Sequence, residues 1–155
     1  MQALVTVLVT WLSVSFGLPP INEHPRIEIV SPAKMAEVRY SRLEAKRPDR
    51  VAAEAGRMAS PEIGHDVFAI YDDLSRTIYL PENWTGKTPA EVSVLVHELV
   101  HHLQNVGGLK YDCAEAREKP AYRAQAGWLE LFGKNLADEF DLDPMTMLVR
   151  TNCTH

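Results

Sequence analysis

Two imidazoles and a carboxylate fall within five residues of this chain, His97-Glu98-Leu99-Val100-His101. On a helix, residues four apart lie about 40° apart around the axis, so His97 and His101 can offer ring nitrogens to one ion. This is the H-E-x-x-H spacing of a helical zinc site, in which the glutamate flanks the ion as a general base. The expected chemistry is attack of an activated water on a carbonyl. A surface helix whose solvated face carries two histidines and a glutamate gives the same string, so its surroundings decide its meaning.

Those surroundings begin with a strong helix start. Thr88-Pro89-Ala90-Glu91 reads as an N-cap threonine, proline at N1 and a glutamate at N3 closing a capping box. The helix is expected to run from Pro89 to about Asn105 and to stop at Gly107-Gly108. Around its axis His97, Glu98, His101, His102, Gln104 and Asn105 share one polar arc. Val92, Leu95, Val96, Leu99, Val100, Leu103 and Val106 fill the opposite one. The apolar arc must meet a core, and the histidines then look into a cleft or into solvent.

A second helix is expected from Cys113 or Ala114 to about Lys134, with Pro120 kinking or delaying it near Lys119. Glu118 shares a face with Ala121, Tyr122, Trp128, Leu129 and Phe132, whereas Lys119, Arg123, Glu130 and Lys134 gather opposite. Glu118 therefore points inward. A buried carboxylate needs a metal or a cation, such as Arg26 or Arg57. Glu118 is thus the candidate third ligand, with Glu115 second and Asp112 third.

The remaining elements give an α+β reading. Arg26 to Val30 alternates like a half-buried strand, and Ser31-Pro32 opens a helix to about Leu43 or slightly beyond. Arg50 to Met58 reads as a second short helix. Val67 to Tyr71 and Thr77 to Leu80, joined by a short polar link, read as a β-hairpin. Asp143-Pro144 opens a last short helix through about Val149. No repeat or inter-domain linker is visible.

Residues 1–17 stand apart. Ala3 to Gly17 carries no charge and includes the run Leu4 to Val9, which reads as the apolar stretch of a signal peptide cut after Gly17. Residues 18–155 then form one exported domain, periplasmic or secreted, with no stable membrane insertion after cleavage; an uncleaved anchor or a buried first strand are the alternatives. The two cysteines, Cys113 and Cys153, can pair in an oxidising compartment and tie the C-terminus to the start of a helix; two separate buried thiols are the other reading. The net charge of −5 and the lack of any Lys/Arg-rich run argue against a nucleic-acid partner.

With these residues in place, the chain resembles the gluzincins, zinc peptidases with two motif histidines and a glutamate from a following helix. The resemblance rests on His97 to His101 and on Glu118-Lys119-Pro120-Ala121, which matches the E-x-x-A form. Ile78 to Trp84, Ser93 to Gln104, Cys113 and Arg117 to Gln125 further resemble small exported bacterial proteins carrying this motif. It implies a minimal zincin-like domain, a small antiparallel or mixed sheet packed on the two helices. Its edge strand, here Thr77 to Leu80, would border the cleft and hydrogen-bond an extended peptide.

The implied site holds Zn2+ on His97, His101 and Glu118, with Glu98 as the catalytic base and a peptide or protein as substrate. Gln125, on the Glu118 face, can orient a ligand. Tyr122, Tyr111, His102 and His65 are candidates for stabilising an oxyanion, and Trp84 either lines the cleft or covers the core. Two competing readings use the same residues: an exported protein that binds metal without catalysis, and a structural domain that binds nothing.

Overall fold

The computed structural model describes residues 1–46 and 69–153. In chain order these form α1 (Gln2–Phe16), β1 (Arg26–Val30), α2 (Pro32–Lys46), β2 (Ile70–Asp72), β3 (Thr77–Pro81), α3 (Pro89–Val106), α4 (Ala114–Glu130), α5 (Leu136–Phe140) and α6 (Pro144–Thr151). The architecture is small α+β with a mixed three-stranded sheet, as expected. The helix expected over Arg50 to Met58, the residues Val67 and Phe68 of the hairpin, Arg57 and His65 lie outside the described residues.

The strand order is β1-β3-β2. β1 runs parallel to β3, pairing Arg26 with Thr77 and Val30 with Pro81, and β2 runs antiparallel to it, pairing Ile70 with Tyr79. This corrects one expectation: Thr77 to Leu80 is the central strand, not an edge. β3 pairs on both edges, with β1 and β2, and turns Ile78 and Leu80 from one face into the core. The strand edge that reaches α3 belongs to β2.

α3 forms as its caps dictate. Thr88 Oγ1 accepts from Glu91 N at 3.2 Å, and Glu91 Oε2 accepts from Thr88 N at 3.1 Å. Although partial burial pushes Glu91 the other way, hydrogen bonds from Thr85 and Thr88 bring its pKa to about 2. α4 starts at Ala114 with Cys113 as N-cap, so Pro120 neither delays the helix nor ends it. The one backbone donor it removes is absorbed by a helix packed along its length on α3. α4 stops at Glu130, four residues short of expectation, where Gly133 (φ 67°) turns the chain into the unforeseen α5.

α3 lies at the centre, against α4, α1 and β2, while α2 packs on β2 and β3. Leu95, Val96, Leu99, Val100 and Leu103 join Ile78 and Leu80 of the sheet and Ala121 and Ala124 of α4 in one core. Trp84 belongs to that core, its Nε1 donating to Glu91 O at 2.8 Å, so it covers the core instead of lining a cleft. Cys113 and Cys153 form a disulfide that ties the tail after α6 to the start of α4. Closing a loop with a separation of 40 residues is worth about 4 kcal/mol in the chain-entropy picture.

The stretch expected as a leader is α1, and it lies in the same core. Val5, Leu8, Val9 and Leu12 fall at helical spacing and are buried, Leu8 and Leu12 completely. Trp11 packs edge-on to Trp128 of α4, with ring centroids 5.6 Å apart. Phe16 sits so close to Gly127 that an added Cβ would lie 2.8 Å from its ring. No helix among the described residues is long and apolar enough to cross a membrane.

Leu12→Ala is therefore expected to lower the unfolding free energy by about 2–5 kcal/mol, read from a denaturant midpoint. An unchanged midpoint would show that α1 is not packed in the purified protein.

Candidate metal centre

The centre is built by α3 and α4 lying side by side. Every residue of α3 from Val92 to Gln104 is buried, its polar arc included. The histidines are thus buried, α4 covering one part of that arc and the β2–β3 hairpin another. Each polar group there must find a partner, since an unpaired one costs roughly 1–3 kcal/mol.

His97 Nε2 and His101 Nε2 converge on one oxygen, Glu118 Oε2, at 3.1 and 3.2 Å. Among the described residues these three form a group able to hold a metal ion, with donor atoms within 4.8 Å of one another. Glu115 and Asp112, the other candidate ligands, are not part of it, nor is Arg26, which pairs with Glu28 on the surface. Tetrahedral zinc bonds of 2.0–2.1 Å require donors about 3.3 Å apart, close to the Nε2 to Oε2 separations.

Hydrogen bonding also fixes which ring nitrogens are free. Ser93 gives its hydroxyl proton to Ala90 O (2.7 Å), so it accepts from Gln125 Nε2 (3.3 Å). That turns Gln125 Oε1 towards His97 Nδ1, 3.0 Å away, which must carry the proton. On the other histidine, Arg117 O takes Gln104 Nε2 (3.0 Å), leaving Gln104 Oε1 to accept from His101 Nδ1 (3.0 Å) and Arg117 Nε (3.2 Å). Both Nε2 lone pairs are therefore presented to Glu118, which is the tautomer a metal needs.

Gln125 lies where its place on the Glu118 face puts it. Gln104, Arg117, Asp73 and Ser93 were not foreseen. Arg117 grips Asp73 through both carboxylate oxygens, one at 2.9 Å, and also donates to His101 O at 3.2 Å, which pins the hairpin turn to both helices. Burial alone would raise Asp73, but the Arg117 guanidinium holds it below its ordinary value. His102 is not at the centre: Nε2 donates to Glu23 O (2.6 Å), so Nδ1 accepts from Tyr71 OH (3.1 Å). Burial keeps His102 neutral by lowering its pKa.

Tyr122 stands edge-on to His97, ring centroids 4.6 Å apart, and its hydroxyl accepts from Arg150 of α6 at 3.1 Å. Tyr111 lies in the loop before α4. Glu98 is buried beside His97, and its Oε2 accepts from Tyr71 N at 2.8 Å. That amide points away from β3, so the free edge of β2 positions the motif glutamate.

The contact of His97 with Glu118 shifts the titration of both partners. Burial pushes His97 down, but the Glu118 hydrogen bond and the charges of Glu98 and Glu118 outweigh it and leave its pKa raised. Burial pushes Glu118 up, but the two histidines bring it far below the usual carboxylate range. His97's contribution to stability is thus present below its ordinary 6.5 and lost as pH rises through its raised pKa. Glu118's is present above 4.5 and lost as pH falls through its depressed one.

The fold and site define a small α+β domain with a possible His/His/Glu metal centre. The chain belongs to the DUF6647 family, a domain of unknown function, whose model matches residues 1–155. No curated protein and no solved structure matches it.

Zinc binding is expected to release protons, so that affinity falls as pH drops; titration in buffers of different ionisation enthalpy measures this. Gln125→Ala and Gln104→Ala should each weaken zinc about 10–100-fold, and Glu118→Ala should abolish stoichiometric zinc while Glu115→Ala leaves it intact. Retention in Glu118→Ala would move the third ligand elsewhere.

Proposed function

We propose that this chain is a zinc-dependent hydrolase of gluzincin type, acting on a peptide or protein in an exported location. The observation that carries the proposal is Glu98. It is a buried carboxylate next to two metal-competent histidines, and among the described residues it has no cationic partner in ion-pair contact. A carboxylate held this way by one backbone amide is costly for a purely structural role and suited to proton transfer.

His97, His101 and Glu118 would hold the ion. When bound, zinc supplies a Lewis acid that polarises a carbonyl and acidifies water. Tyr71 N–H fixes one oxygen of Glu98, leaving the other to take a proton from the attacking water. After the C–N bond breaks, Glu98 returns that proton to the departing amine. Gln125 and Gln104 keep both imidazoles in the working tautomer throughout. The Cys113–Cys153 disulfide supports an oxidising compartment.

Glu98→Gln is expected to keep one zinc per chain and to reduce peptide hydrolysis by 100-fold or more. Undiminished turnover would rule out this role for Glu98. Stoichiometric zinc without hydrolysis in the wild type would favour the non-catalytic metal-binding reading.

A further inference from the structure

One wall of a cavity of about 420 Å³ is Glu118 itself, so the space adjoins the metal centre. Its other walls come from α2, the β2–β3 turn, the loop after α3 and the start of α4, and the volume suits a peptide side chain with its flanking backbone. Five charged residues line it: Arg42, Asp73, Lys110, Arg117 and Glu118. Both carboxylates are committed, Asp73 to Arg117 through both oxygens and Glu118 to the histidines. The Arg117 guanidinium is likewise used up on Asp73, Gln104 and the His101 carbonyl.

What still faces the space is Arg42 from α2 and Lys110 from the loop after α3. Among the described residues neither makes an ion pair, and Arg42 acts on Asp73 only through its charge, without a hydrogen bond. Three cations and two carboxylates line this space, in a chain whose net charge is −5. Tyr111 adds a phenol to the same wall. Two cations without an ion-pair partner and a hydrogen-bonding ring around a cavity beside a hydrolytic centre select for an anion, and a carboxylate is the anion a peptide carries.

Resting on the hydrolase reading above, we infer that this cavity is a substrate subsite that takes a carboxylate, held between Arg42 and Lys110. The carboxylate is an acidic side chain or a free C-terminus. Its preference weakens with salt, because Lys110 is exposed.

The test is calorimetric titration of the zinc-loaded full chain at low salt with three acetylated peptides: one with an internal Glu and a C-terminal amide, one with Gln in its place, and the Gln peptide with a free C-terminus. At least one carboxylate peptide is expected to bind roughly tenfold tighter than the neutral one, and which one does identifies the source. The double variant Arg42→Gln/Lys110→Gln should bring that ratio to about one, with its melting temperature and zinc content as controls for folding. Equal binding of all three peptides by the wild type, or a preference that survives in the folded double variant, overturns the inference. Cleavage is followed in parallel, so the two readings fail separately. A charge preference without cleavage sinks only the hydrolase, and cleavage without a charge preference sinks only the subsite.

Discussion

A helix buried on all sides cannot leave its polar residues unpaired, and α3 carries six of them on one arc. That requirement organises the neighbourhood. His97 draws Gln125 from α4, and His101 draws Gln104 and, through it, Arg117. His102 draws Tyr71 and the carbonyl of Glu23, Asn105 draws Tyr71 OH and Asp73 O, and Glu98 draws the amide of Tyr71. Apart from Gln104, which lies on α3 itself, the partners come from α4, the β2–β3 hairpin and Glu23. The desolvation cost of one face is met only when α4, the hairpin and the N-terminal segment are all docked.

The same requirement accounts for the close approach of the two helices. Ala121 and Ala124 are fully buried where α4 meets α3, and side chains this small let the backbones come near enough for Glu118 to touch both imidazoles. Larger residues there would hold the carboxylate away from the histidines. The core and the metal centre are thus two consequences of one interface, read on opposite sides of α3.

The local part of this structure was legible in the sequence. The capping box, the extent of α3, the inward turn of Glu118 and its preference over Glu115 all follow from helical period and cap chemistry, which act over a few residues. The pairing of Cys113 with Cys153 was open from spacing, and the structure closes it. What escaped depends on contacts between distant segments. Nothing in the hairpin loop marks Asp73 as the partner of Arg117, 44 positions away, and nothing in Thr77 to Leu80 tells a central strand from an edge until β1 is seen to pair with it. The polar arc of α3 suggested exposure because period reveals which residues share a side and not what covers that side. α1 shows the same limit: an uncharged apolar stretch has the composition of a leader, and composition does not tell that Val5, Leu8 and Leu12 pack in the core.

His102 and Tyr71 join two parts of the molecule that are remote in sequence. The imidazole is bonded at one nitrogen to the carbonyl of Glu23 and at the other to the hydroxyl of Tyr71, whose own amide grips Glu98. Residues 18–25 and the motif glutamate therefore share a continuous hydrogen-bonded linkage through the interior. Linkage of this kind is reciprocal: a ligand, fusion or strain that displaces the segment before β1 changes the free energy of placing Glu98, and whatever engages Glu98 changes the hold on that segment by the same amount.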